Sequence, residues 1–233
     1  MERLAINIIG EINEAQLLSV MEQIKEAREK IQKDLDYIEE FNKVATKENH
    51  MVPDPVIVNI SSGGGSVVYG NAIIEELRTL KVPVITRCLG FAGSMAYSIF
   101  VQGDYRIMGE GSALMYHGCS NVHRGTLNQN QTSLEFDLAL ESLNDLNIIQ
   151  RTEITQEKLD YYKDRSKDWF MFKEEALENN SVTHDCSIEE LIDIIKQDWL
   201  DSKNETEETR EILDKLEAEE ELLAEIVETS TKS

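Results

Sequence analysis

The sequence is short of the residues that staple, anchor or bind nucleic acid. Its 233 residues hold three cysteines, Cys88, Cys119 and Cys186, whose spacing fits neither a disulfide framework nor a zinc pattern, so free thiols in a reducing compartment are expected. Basic residues are scarce: 23 Lys and Arg stand against 45 Asp and Glu, a formal net charge of −22. A nucleic-acid backbone or an anionic membrane would repel such a chain, so neither is expected as a partner. No apolar run approaches the length of a membrane span. Met1-Glu2-Arg3 leads directly into Leu4-Ala5-Ile6-Asn7-Ile8-Ile9-Gly10, which reads as a first strand rather than a signal sequence, and a cytoplasmic location is expected. The glycine run Ser61-Ser62-Gly63-Gly64-Gly65-Ser66 lacks the Gly-Lys-Ser/Thr of a phosphate loop, and it does not fit Gly-x-Gly-x-x-Gly with an acidic ribose partner.

What is present suits one globular domain with extensions. Hydrophobic residues make up 41% of the chain, enough for a sizeable core, and strand and helix patterns alternate, the mark of an α/β architecture. Residues 1–200 are expected to form the domain. Within it, Leu17, Met21, Ile24, Ile31, Leu35 and Ile38 recur at helical spacing, which predicts a long helix from Asn13 to Phe41. The polar stretch after it ends at Pro53 and Pro55, so 13–54 reads as an extended helix and loop insertion. A second helical region is expected from Leu127 to Leu159, with an apolar face formed by Leu134, Leu138, Leu143, Leu146, Ile149 and Ile154. Residues 201–233 are crowded with glutamate around the stripe Ile212, Leu213, Leu216, Leu223, Ile226 and Val227. Both an acidic amphipathic helix and a disordered tail fit that composition.

Three segments carry candidate chemistry. The apolar run Val82 to Leu89 passes into Gly90-Phe91-Ala92-Gly93-Ser94-Met95-Ala96, where a buried strand turning through glycines into a helix would present the Ser94 hydroxyl among unpaired N–H groups. A serine nucleophile needs a base, and His117 lies at the exit of the short strand-like segment Ala113-Leu114-Met115-Tyr116. A structural histidine at a strand end is the other reading of the same position. The reaction also needs oxyanion donors, and the glycine run after Pro55-Val56-Ile57-Val58-Asn59-Ile60 can turn backbone N–H groups toward a ligand.

In order along the chain, these segments resemble the proteolytic subunit of the Clp protease, ClpP. Ile60-Ser61-Ser62-Gly63-Gly64-Gly65 is similar to the family's Asn-Ser-Pro-Gly-Gly, and Gly90 to Ala96 to its nucleophile segment. Met115-Tyr116-His117 is similar to its Met-Ile-His, and Asp168-Trp169-Phe170-Met171-Phe172-Lys173-Glu174-Glu175-Ala176 to its Asp-x-Phe-x-x-x-x-Glu-Ala. The resemblance covers about residues 4 to 190. It implies Ser94 as nucleophile, His117 as general base and acid, Asp168 as the orienting carboxylate, and the N–H groups of Gly65 and Met95 as the oxyanion hole. It also implies a ClpP/crotonase-like fold of repeated strand-strand-helix units with a handle-like helix, to which the acidic tail would add a C-terminal helix. The implied activity is ATP-independent cleavage of peptides or unfolded proteins inside a homo-oligomeric ring, a heptamer or stacked heptamers, with an AAA+ unfoldase as a partner and no cofactor or metal.

Departures from the family pattern are local. Gly63 replaces a proline, Trp169 replaces an arginine that pairs between rings, and His117-Gly118-Cys119 replaces His-Gln-Pro. The N-terminal axial-loop segment is nearly absent. A phage capsid-maturation (prohead) protease, or an assembly-associated subunit with a peptidase-like core, is the alternative. A crotonase-type acyl-CoA enzyme ranks behind both, because it would need neither Ser94 nor His117.

Overall fold

Alternating and continuous runs of β-branched residues divide the strands between edge and centre. The computed structural model describes residues 3–46, 49–120 and 123–202. In β1 (Ala5–Ile9) only Ile6 and Ile8 point inward, whereas β2 (Val56–Ser62) is buried along nearly its whole length. The first therefore lies at an edge and the second inside the sheet. The remaining strands are β3 (Val84–Gly93), β4 (Tyr105–Met108), β5 (Ala113–Tyr116) and β6 (Trp169–Met171). They form one six-stranded sheet in the order β1-β2-β3-β5-β6, with β4 also paired to β3. All pairings are parallel except the antiparallel β5–β6. The expected α/β architecture is met by this mixed, mostly parallel sheet.

β3 serves two partners in succession. Ile85 to Cys88 pair with β4, and Phe91 to Gly93 pair with β5. Between them Gly90 sits at φ +88°, and its N–H donates to Ser112 Oγ at 3.0 Å. The strand thus continues through the glycines expected to end it, and the turn into the next helix falls at Ser94 alone. Edge pairing with β5 holds Phe91 to Gly93 extended, which a reading of glycines as breakers does not anticipate.

Helices cover both faces. On one side α1 (Glu14–Asn42), α2 (Val67–Leu77) and α3 (Met95–Phe100) bury Val20, Ile24, Ile31, Ile73, Ile74 and Ile99 against Ile6, Ile8, Val56, Val58 and Ile60. On the other, Leu191, Ile192 and Ile195 of α7 (188–202) pack on Ile57, Ile85 and Ile107. The period of two along β2 therefore sends Val56, Val58 and Ile60 to one core and Ile57 to the other. α1 starts at Asn13, whose side chain accepts from Gln16 N–H, a standard cap.

The helical region expected over Leu127 to Leu159 is two helices, α4 (Leu127–Ile149) and α5 (Gln156–Lys163). The carbonyl of Arg151 accepts from the buried Arg106 guanidinium at 2.8 Å, and Glu153 N–H donates to Asn179 O at 2.8 Å. Those tertiary bonds hold the connection out of helix until Thr155 caps α5 by accepting from Lys158 N–H. α4 leaves Leu134, Phe136, Leu138, Leu143 and Leu146 about half exposed. A short α6 (Lys173–Glu178) follows β6. The acidic stripe from Ile212 to Val227 lies outside the described residues. No helix among the described residues is long and apolar enough to cross a membrane.

Candidate active site

Ser94 occupies the step from β3 to α3. Its φ of 53° and ψ of −127° are a strained combination for a side-chain-bearing residue, fixed by Ser94 N–H donating to Met115 O at 2.8 Å. The hydroxyl meets His117 just past β5: Nε2 of the imidazole lies 2.8 Å from Ser94 Oγ. Nucleophile and base candidates thus come from adjacent parallel strands, β3 and β5. With Nε2 accepting the serine proton, the ring proton resides on Nδ1, the atom that an orienting carboxylate engages.

Asp168 directly precedes β6, the strand paired with β5. The antiparallel ladder pairs Leu114 with Met171, Met115 with Phe170 and Tyr116 with Trp169; continued one residue past its last pair, that register would set Asp168 opposite His117. The Asp168 side chain is exposed, and among the described residues no hydrogen bond joins it to the imidazole. At the frayed end of a three-residue strand, water competes with the imidazole for the carboxylate on nearly equal terms.

The glycine run approaches from β2. Gly64 at φ +99° lies so close that a Cβ there would stand 2.7 Å from both Gly93 O and Ser94 Cβ, and 3.0 Å from Met95 N. Gly65, at φ +147°, is bracketed by Ile12 N–H donating to Gly64 O and Ser66 N–H donating to Ile12 O, both at 2.8 Å. Among the described residues, neither the Gly65 N–H nor the Met95 N–H donates to a protein acceptor. Met95 follows the serine as the first residue of α3, and both Gly65 and Met95 line the same cavity of about 590 Å³ as Ser94 and His117.

The far wall of that cavity is α4. Phe136, Asp137, Leu140, Glu141, Asn144 and Asp145 face Ser94 and His117 across it. Asp145 is buried, and its carboxylate accepts from Tyr116 Oη at 2.8 Å, Lys163 Nζ at 2.5 Å and Gln156 Nε2 at 3.3 Å. The network fixes Tyr116, the residue before His117, to α4 and α5. Sequence reading did not single out Asp145; an acid three residues before the buried Ile148, on the inward side of an amphipathic helix, was the available signal.

Among the described residues no other histidine and no cysteine hydrogen-bonds to Ser94 Oγ. His123 lies 3.0 Å from Asp137. His184 is half-buried, with its ring against Tyr105 and Nδ1 2.8 Å from Thr183 Oγ1. Burial holds the Cys88 thiol up to about 12. Cys119 is raised by burial and by the charges of Asp137 and Glu141, so the cavity thiol is a poor nucleophile. Trp169 is buried, stacks on Tyr162 with ring centroids 4.9 Å apart and donates to Glu175 Oε1 at 2.9 Å. No group of three or more metal-ligating side chains is found among the described residues.

The Clp protease family model matches residues 4–181. The chain is 36% identical over 121 residues to an ATP-dependent Clp protease proteolytic subunit of Deinococcus radiodurans, a match covering 51% of this chain and 58% of the relative. It is 29% identical over 141 residues to a proteolytic subunit 2 of Prochlorococcus marinus, covering 56% of this chain and 68% of the relative. A proteolytic subunit 3 of a Synechococcus species is 29% identical over 130 residues, with 53% and 62% covered. The matched part thus spans between 58% and 68% of the length of these relatives.

Proposed function

The chain belongs to the Clp protease family, and from that premise we propose that it is a serine endopeptidase cleaving peptide bonds through an acyl-enzyme on Ser94. The 2.8 Å contact between His117 Nε2 and Ser94 Oγ carries the reading. His117 takes the hydroxyl proton as Oγ attacks the scissile carbonyl and returns it to the leaving amine. It then deprotonates the water that releases the acyl group. The N–H groups of Gly65 and Met95 receive the oxyanion, each donor being worth about 100- to 1000-fold in rate. Asp168, across the β5–β6 ladder, orients the ring and stabilises its protonated form. The chemistry calls for no metal, cofactor or nucleotide.

The same proposal extends to assembly. The half-exposed apolar face of α4 corresponds to the handle of the family, and a ring built on it would enclose the cavity and admit peptides or unfolded chains. Coupling to an AAA+ unfoldase belongs to this reading by resemblance. A fluorophosphonate probe tests the chemistry: it should label Ser94 covalently, and Ser94→Ala should abolish labelling. Labelling confined to another serine would overturn the assignment.

A further inference from the structure

We propose that the cavity beside Ser94 selects a lysine or arginine side chain next to the scissile bond, with Glu141 as its specificity-determining carboxylate. The inference rests on the reading of Ser94 as nucleophile and adds a substrate class to it. The α4 wall contributes Asp137, Glu141 and Asp145 to the cavity, and no lysine or arginine is among the residues that line it. Two of these carboxylates already have side-chain partners: Asp145 pairs with Lys163 at 2.5 Å, and Asp137 lies 3.0 Å from His123 Nε2. Glu141 differs. Among the described residues no cation lies within ion-pair distance of it, Lys163 feeling its charge only from further away, and its Oε1 accepts the Cys119 N–H at 2.5 Å. A second acceptor waits on the same wall: Asn144 Oδ1 is buried without a hydrogen-bond partner.

A half-buried carboxylate and an orphaned amide oxygen together call for a donor-rich cation. An ammonium or guanidinium supplies several N–H donors, whereas an apolar side chain would leave the carboxylate charge uncompensated and the amide oxygen unmet, and an acidic one would be repelled. The field is felt by neighbours, since the Cys119 thiol is held up partly by the charges of Asp137 and Glu141. Phe136, Leu140, Val67 and Val68 line the remaining wall, suited to the methylene stem that carries either cation. The chain's net charge of −22 would also concentrate basic peptides around the protein.

The test uses the full chain and fluorogenic peptides differing only in the residue before the scissile bond: lysine, arginine, leucine or glutamate. The expected kcat/KM for lysine and arginine exceeds that for leucine about 10-fold or more, with glutamate lowest, and the preference shrinks as salt rises. Glu141→Gln retains an acceptor for the Cys119 N–H but loses the charge, so its lysine-to-leucine ratio should fall at least about fivefold. Glu141→Lys should invert the order. Wild-type protein that labels at Ser94 yet cleaves the leucine peptide as fast as the lysine peptide would overturn the specificity and leave the nucleophile standing. An unchanged ratio in folded Glu141→Gln would overturn the role of Glu141. Failure of every peptide together with failure of fluorophosphonate labelling would overturn the peptidase reading and this inference with it.

Discussion

Ser94 and Gly64 form a tight pair in which backbone geometry decides what a side chain can do. Because a Cβ at position 64 would press on Gly93 O and Ser94 Cβ, Gly64→Ala should displace the glycine run from the serine. The expected result is a fall of about 100-fold in kcat with a smaller change in KM, and a loss of about 1–3 kcal/mol from the strained φ. Peptide kinetics and a melting curve read the two effects separately. Substitutions of the proposed triad should rank. Ser94→Ala and His117→Ala should lose nearly all turnover, whereas Asp168→Asn should fold, assemble and keep weak activity, because water can partly replace an orienting carboxylate. If Asp168→Asn matched wild type in kcat/KM, the orienting group would have to be sought elsewhere, first at Asp164. Much at this scale was legible in sequence: a glycine-flanked serine and a histidine leaving a strand are local patterns. Glu141 and Asp145 were not, since only the fold turns one face of α4 toward a distant serine.

Elements join through a few buried polar groups. Arg106 on β4 donates to the carbonyls of Gly103, Arg151, Asn180 and Ser181, and burial, followed by the nearby Arg151, lowers its pKa to about 10. Arg106→Met should orphan those carbonyls at a cost of roughly 3 kcal/mol, read as a melting temperature lower by about 6–12 °C, with activity per folded molecule retained. The same residue explains why a continuous helical pattern from Leu127 to Leu159 breaks in two, because Arg106 captures a backbone carbonyl far away in sequence. Lys163 ties α5 to α4. Burial alone would lower its pKa, but hydrogen bonds to Asp145 and Asp160 outweigh that and hold it above the ordinary 10.5. A raised folded value means that the tie contributes fully below pH 10.5 and is lost as pH climbs through the folded value. The melting-temperature gap between wild type and Lys163→Met should therefore be constant near neutrality and close in alkali. The α/β class was readable from the alternation of strand and helix patterns and from the resemblance. The extension of β3 to Gly93 was not, since β5 imposes it.

At the scale of the whole molecule, an apolar α4 face on a strongly acidic chain argues for self-association. Light scattering at micromolar concentration should give a large homo-oligomer, and Leu138→Glu with Leu134→Glu should shift it toward monomer; a wild-type monomer would defeat the proposed ring. The position that pairs between rings in the family holds Trp169, which here is an internal core residue. A single ring is therefore the expected particle, and its mass would distinguish it from a stacked pair. The β5–β6 ladder has a further consequence. β6 is only three residues long and closes the edge of the sheet, so it can fray at a small fraction of the cost of global unfolding. On the role proposed for Asp168, each opening would release the chain segment that has to deliver its carboxylate to His117, while leaving Ser94 in place. Catalytic competence then becomes a local equilibrium: amide exchange at Phe170 and Met171 should run faster than in β2, and whatever quiets that exchange should raise turnover in step.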